Sequence, residues 1–121
     1  MSQKKALVVD DSTVTRLMIR KIISEKHPNW EILEAESADQ AKSILPDHPD
    51  IDLFSLDQNM PGTISGLDLA ENLKSNYPNS KIVLVTANIQ EAIKNRAKDL
   101  GIDFVEKPVT PEKIIPLLEK I

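Results

Sequence analysis

The sequence contains no cysteine, which excludes disulfide staples, thiolate catalysis and cysteine-based metal sites, and suits a reducing cytoplasm. An excess of positive charge is also missing. Lys and Arg number 15 against 19 Asp and Glu, a net charge of -4, so nothing draws the chain to nucleic acid or anionic lipid. A protein partner is expected instead. Apolar runs are only a few residues long, far short of a membrane span, and the stretch from Met1 to Lys5 lacks the apolar core of a signal peptide. Glycine is scarce, three residues in 121, and neither a Gly-rich nor a Ser/Thr-rich loop follows the first apolar run to cradle a phosphate.

What is present fits one α/β domain. A chain of 121 residues hides roughly two-thirds of its unfolded surface in a single core. Its 40% hydrophobic and 28% charged residues are ordinary for a globular protein. Short apolar runs alternate with helical-period segments five times, the pattern of a parallel sheet covered on both faces. The candidate strands are Lys5 to Asp10, Trp30 to Ala35, Ile51 to Leu56, Lys81 to Val85 and Ile102 to Val105. Four are nearly unbroken in apolar character, as strands covered on both faces should be. The second, with Glu31 and Glu34, is expected at an edge.

Two apolar stripes at helical spacing are expected to face the sheet: Val14, Leu17, Met18 and Ile22, and Ile89, Ala92, Ile93, Ala97 and Leu100. Ser37 with Gln40, and Asn88 with Glu91, have capping-box spacing, and Thr110 before Pro111 places a cap ahead of a first-turn proline. Tyr77-Pro78-Asn79 and Leu45-Pro46 mark helix stops. No linker, repeat or biased tract remains, so one domain over residues 1–121 is expected, with no room for an output domain.

In an open parallel sheet, ligands bind outside the carboxyl ends of the strands. Here those ends carry Asp10-Asp11, Asp57, Thr86-Ala87 and Lys107-Pro108. Each has an ordinary explanation by itself. Asp11 or Ser12 could cap a helix, Asp57 could belong to a turn, Thr86 to a helix entry, Lys107 to a solvated surface and Phe104 to the core. Their conjunction at one rim is not ordinary. Two carboxylates about 4 Å apart repel by roughly 4 kcal/mol at an effective dielectric near 20, so positive charge must sit among them. Oxygen donors alone select a hard cation such as Mg²⁺, which needs only one or two carboxylates beside a phosphate. A carboxylate beside such a metal and a lysine suggests attack by Asp57 on a phosphoryl group to give an aspartyl phosphate, with Lys107 neutralising the transferred oxygens.

These residues resemble a known family. Leu7-Val8-Val9-Asp10-Asp11-Ser12, Asp57 followed by Met60-Pro61-Gly62, Thr86-Ala87, and Phe104 three residues before Lys107-Pro108 are similar to the motifs of bacterial response-regulator receiver domains of the CheY-like, single-domain type. The resemblance spans essentially the whole chain. It implies a flavodoxin-like (βα)5 fold with a doubly wound sheet in the order 2-1-3-4-5, and Asp57 as phosphoacceptor. It implies Asp10, Asp11, Asp57 and the Asn59 backbone carbonyl around Mg²⁺, and Lys107 on the phosphoryl oxygens. Thr86 would move to the phosphoryl group and Phe104 would turn inward after it, a two-state element biased by a local charge event. The implied partners are a sensor histidine kinase or histidine phosphotransfer protein and a downstream effector. The implied role is signalling by a cytoplasmic monomer, in chemotaxis or as a phosphorelay shuttle, and catalysis confined to its own phosphorylation and dephosphorylation.

Three features depart from or qualify the family pattern. Between Pro61 and the glycine that usually follows the Met-Pro motif in the family there is one residue more than usual, which leaves the path of Thr63, Ile64 and Ser65 and the start of the third helix open. Pro116 falls inside the last helix, where it removes a hydrogen bond and should kink the chain. Asn59 and Asn88 occupy positions that tune dephosphorylation in receivers. Among other functions, a haloacid-dehalogenase-like phosphatase also uses a strand-end aspartate but normally carries a second acid two residues on, where this chain has Asn59. A flavodoxin-like cofactor binder is supported by fold analogy only. A receiver that binds without phosphorylation would be expected to lack part of the site, and no part is missing. His27 and His48, each before a proline, are read as loop residues without a role. Arg16, Arg20 and Lys21 form a basic set on the first helix, either a solvated face or a contact for a kinase or phosphotransfer protein.

Overall fold

The computed structural model describes residues 3–121. Strands and helices alternate as β1 (Lys5–Val9), α1 (Thr13–Lys26), β2 (Glu31–Ala35), α2 (Ala38–Ile44), β3 (Leu53–Leu56), α3 (Gly66–Asn76), β4 (Lys81–Thr86), α4 (Glu91–Leu100), β5 (Asp103–Glu106) and α5 (Pro111–Leu118). The strands form one sheet in the order β2-β1-β3-β4-β5, with every pair parallel. This is the flavodoxin-like topology the resemblance implied.

Alternation along each strand divides the core between the two faces of the sheet. Ala6, Val8, Leu53, Val83 and Val85 join Ile19, Ile22 and Ile23 of α1 and Ile114 and Leu118 of α5. Leu7, Val9, Phe54, Leu56 and Leu84 join Ala38 and Ala41 of α2, Leu67, Leu69, Ala70 and Leu73 of α3, and Ala97 of α4. Register then levels the strand ends, because Val9 pairs with Ala35 and with Leu56, and Leu56 pairs with Leu84. The ladder runs one step further through Asp10 N–H to Ala35 O at 3.0 Å and Asp57 N–H to Val9 O at 2.9 Å. Two acidic residues are thereby placed side by side at the sheet's rim.

Helix starts follow the side chains that can accept the first free N–H groups. Ser12 Oγ accepts from Thr15 N at 3.2 Å, and Ser37 Oγ from Gln40 N at 3.1 Å. Thr110 precedes α5 with Pro111 in its first turn. The expected box at Asn88 is not formed: α4 begins after Gln90, and Asn88 Oδ1 instead accepts from Gln90 N at 3.2 Å in the approach to the helix. A box not anticipated closes on α3, where Ser65 Oγ and the Asp68 carboxylate exchange bonds with each other's backbone. Leu45 and Tyr77 end α2 and α3 as their following prolines require.

Three packing expectations are corrected. On α1, Val14, Leu17 and Met18 are exposed, at 65%, 62% and 39%, and the sheet takes Ile19, Ile22 and Ile23 instead. Apolar residues cover more than half the circumference of that helix, so two stripes fit the same period and only Ile22 belongs to both. Ile89 lies ahead of α4 and is exposed, Ala92 is exposed, and the inward contact comes from Ile93, Ala97 and Leu100. β5 is an edge strand like β2, and only Val105 of it is fully buried. Pro116 lies inside α5, which continues to Leu118. His27 caps the end of α1 and stacks on Trp30, ring centroids 4.5 Å apart, so it is a packing residue. His48 lies beyond a short 3-10 turn, Leu45–Asp47, and its carbonyl accepts from the Tyr77 hydroxyl at 3.1 Å.

Candidate functional site

The pocket is assembled from the loops that leave β1, β3, β4 and β5. Asp10 and Asp57 are nearly inaccessible, at 1% and 6%, whereas Asp11 is exposed. One carboxylate oxygen from each of these three residues lies within 4.8 Å of the others. Lys107 enters from the far side, its Nζ 3.0 Å from Asp10 Oδ2 and 3.2 Å from Asp57 Oδ2. It donates a hydrogen bond to Asp57, while the contact with Asp10 is an ion pair without hydrogen-bond geometry. Asp10 Oδ1 accepts from Ser12 N at 2.9 Å. Asp10 Oδ2 is left buried with no hydrogen-bond donor. An all-oxygen cluster in which the buried Asp10 Oδ2 meets only the Lys107 ammonium, with room for a further positive partner, fits a hard divalent cation.

Burial is the main reason the Asp10 carboxyl is held above its ordinary value of 3.8. Repulsion from Asp57 adds to it, and the Ser12 N–H and the Lys107 ammonium oppose it. Burial also acts against the Lys107 ammonium, but its contacts with Asp10 and then Asp57 outweigh this and raise its pKa above 10.5. For Asp10 the folded state holds the proton more tightly than the unfolded chain, so its stabilising contribution is full below about pH 3.8 and disappears as pH rises through the elevated folded value. In metal-free protein, Asp10→Asn should therefore remove a decline in the urea midpoint with rising pH that the wild type displays. Identical pH profiles for the two proteins would show that no such linkage exists.

Thr86 ends β4 at 1% exposure, and its Oγ1 accepts from Asn88 N at 3.2 Å. Asn88 Nδ2 then donates to Asn59 Oδ1 at 3.0 Å, joining the β4 and β3 loops across the mouth of the pocket. Phe104, paired with Leu84 in the ladder, is half-buried, and Lys94 Nζ of α4 stands 6.0 Å over its ring. Sequence reasoning located Asp10, Asp11, Asp57, Asn59, Thr86, Phe104 and Lys107, and the acids, Thr86 and Lys107 do lie at one rim.

Two supporting residues were missed. Gln58 Oε1 accepts from Leu67 N at 2.8 Å and its carbonyl accepts from Gly66 N at 3.1 Å, so the loop after Asp57 is tied shut at its base. The extra residue after Pro61 is absorbed in that loop, where Gly62 adopts φ +107°. Gly66 is where the backbone must approach closely, since a Cβ there would lie 2.1 Å from the Asp57 carbonyl oxygen. Arg16, expected with Arg20 and Lys21 on an outer basic face, is buried instead and points at Asp10. A long side chain that buries its head among acceptors is not marked by hydrophobic period.

Residues 6–119 match the response regulator receiver domain family, and the chain belongs to it. The chain is 30% identical over 124 residues to the chemotaxis protein CheY of Thermotoga maritima, covering 98% of this chain and 97% of that protein. It is 31% identical over 118 residues to the glycerol metabolism activator of Pseudomonas putida, covering 97% of this chain and 53% of that protein, so it spans about half the length of that relative. A solved CheY-like receiver domain protein from Methanospirillum hungatei shares the fold with a TM-score of 0.86 at 22% identity, over 98% of this chain and 93% of the other. The chain is thus a receiver domain of two-component signalling, a signalling protein whose family works with histidine kinases and downstream targets. The phosphatase alternative has no support, and Asn59 offers an amide bonded to Asn88 where a second acid would stand. Among the described residues, no helix is long and apolar enough to cross a membrane.

Proposed function

We propose that Asp57 is the phosphoacceptor of a Mg²⁺-dependent switch. The observation that carries this reading is the convergence of Asp10, Asp57 and Lys107, with Nζ 3.0 and 3.2 Å from the two carboxylates. An Asp57 oxygen forms the new bond to phosphorus as the donor's bond to phosphorus breaks, and the donor leaves with that electron pair. Lys107 holds the phosphoryl oxygens. Asp10, Asp11, Asp57 and the Asn59 backbone carbonyl would hold Mg²⁺, which when bound offsets carboxylate charge and polarises the phosphoryl oxygens.

Thr86 Oγ1 already accepts a hydrogen bond, so its O–H is the group to donate to a phosphoryl oxygen. Phe104, only half-buried, then moves inward. With no hydroxyl it gains packing but no new hydrogen bond. A swing from 1:99 to 99:1 needs about 5.5 kcal/mol of preference, so a bound effector completes the shift. The phosphoryl donor is a sensor histidine kinase or a histidine phosphotransfer protein. Likeness to a chemotaxis protein over nearly its full length favours a chemotaxis-type output, and a phosphorelay shuttle would use the same pocket. The net charge of -4 argues against DNA contact, and the protein works as a cytoplasmic monomer.

With acetyl phosphate and Mg²⁺, intact-mass measurement should register one added phosphoryl group. EDTA or Asp57→Asn should abolish it. Equal uptake by the mutant, or uptake without divalent metal, would overturn the assignment.

A further inference from the structure

Among the described residues, five polar or charged side chains are buried: Asp10, Asp57 and Thr86 line the pocket, Ser55 lies on β3, and the fifth is Arg16 of α1. A guanidinium is costly to bury unless its arms are paired. Here each arm goes to a different element. Nη1 donates to the Asp10 carbonyl at 2.6 Å, Nη2 to Thr13 Oγ1 at 3.3 Å and Nε to Glu34 Oε1 of β2 at 3.0 Å. Glu36 Oε1 lies 3.9 Å from Nη2, and Arg20 Nη1 holds the second oxygen of Glu34 at 2.8 Å.

The carbonyl that Arg16 grips belongs to the Asp10–Asp11 peptide. A peptide unit is planar and rigid, so a bond to its oxygen limits rotation of the plane from which both acidic side chains depart. Asp10 has further restraints in Ser12 N–H and Lys107. Asp11 is exposed, and the orientation of its backbone is the means by which it is brought within 4.8 Å of the other two carboxylates.

We propose that Arg16 is a positioning residue for divalent-cation binding, acting through the Asp10–Asp11 peptide and braced by Glu34 and Thr13. This rests on the reading of the acidic pocket as a cation site. Arg16 touches neither the cation nor the phosphoryl group. Its contribution is to remove freedom that the acids would otherwise lose on binding, so its loss raises the cation concentration required and leaves the saturated reaction nearly intact. Outer partners that orient ligands are typically worth 10- to 100-fold in metal affinity.

The test titrates the full chain with Mn²⁺, a hard-cation probe, counting free ion by electron paramagnetic resonance. Half-maximal Mg²⁺ for uptake from acetyl phosphate is measured in parallel. Arg16→Gln should weaken Mn²⁺ binding by about 10-fold and raise the half-maximal Mg²⁺ by a similar factor. Uptake at saturating Mg²⁺ should approach that of the wild type. Arg16→Lys should recover only part of the affinity, because an ammonium cannot span three acceptors as the planar fork does. Arg20→Gln, which loses an ion pair to the same Glu34 without reaching the turn, should leave Mn²⁺ binding unchanged.

A merely structural Arg16 would lower the urea midpoint and leave the folded protein's Mn²⁺ affinity untouched, and that result would overturn the proposal. Should Arg16→Gln fail to fold, Thr13→Val and Glu34→Ala decide the matter. Weaker Mn²⁺ binding in both supports the brace, and unchanged binding in both overturns it. A wild-type protein that binds no Mn²⁺ and takes up no phosphoryl group would sink the pocket reading itself, whereas wild-type binding equalled by Arg16→Gln sinks only the role of Arg16.

Discussion

Gly66→Ala should destabilise the protein by about 3 kcal/mol, the upper end of the usual range for overpacking. The added methyl would sit 2.1 Å from the Asp57 carbonyl oxygen, 2.8 Å from its carbonyl carbon and 3.0 Å from Gln58 Cα. All three are backbone atoms of the segment that leaves β3, so no side chain can swing aside. Relief must come from moving α3 or the Asp57 backbone, and the Gly66 N–H bond to Gln58 O would be the first casualty. Against a typical total stability of roughly 5 to 15 kcal/mol, such a loss is large. Gly62→Ala makes a useful contrast. Its methyl would meet only the Asp39 carboxylate, Oδ2 at 2.6 Å and Cγ at 3.7 Å at the end of a movable side chain, and the added strain of φ +107° should cost about 1 kcal/mol. Urea unfolding monitored at Trp30 measures both. A Gly66→Ala midpoint close to that of the wild type would show that the rim yields more easily than its packing implies.

Lys107→Ala should slow phosphoryl uptake at saturating Mg²⁺ by about 10²- to 10³-fold, the usual effect of deleting one preorganised charge aimed at the reacting group. The same change removes the cation that lies 3.0 Å from Asp10 and 3.2 Å from Asp57. The opposing influence on Asp10 then disappears, and its carboxyl should rise further above 3.8. The rate defect and the altered titration should therefore appear together. Stopped-time intact-mass measurements with acetyl phosphate give the rate, and carbon-detected NMR of the Asp10 carboxyl gives the titration. A rate within about threefold of the wild type would remove Lys107 from the phosphoryl-binding group.

The topology and the acidic rim were legible because they depend on strong, local signals. Five apolar runs set the strands, and parallel pairing forces their carboxyl ends, with Asp10, Asp57 and Lys107, onto one edge. What escaped was carried by residues whose partners lie far off in sequence. Arg16 reads as a surface cation until β2 supplies Glu34, 18 residues away. Gln58 reads as an ordinary loop residue until Leu67 N meets its side chain. The choice between two apolar stripes on α1 was undecidable by period, since Ile22 serves either, and packing against the sheet and against Ile114 and Leu118 of α5 selects Ile19 and Ile23. Ser65 and Asp68 have capping-box spacing, but the longer stretch after Pro61 leaves the start of α3 unfixed by sequence, and only the folded loop sets Ser65 as its cap.

The tie between Gln58 and Gly66 has a consequence for how this rim can diversify. Within the segment closed by that tie, Asn59 belongs to the pocket and Met60 and Ile64 pack on the core, but Pro61, Gly62 and Thr63 are exposed, so the number of residues at that tip matters little to what lies beneath. Closure entropy rises only with the logarithm of length, and one more residue in a loop of this size costs about 0.1 kcal/mol. Inserted or exchanged segments there would redecorate the doorway for new visitors while the hearth behind it stays as built.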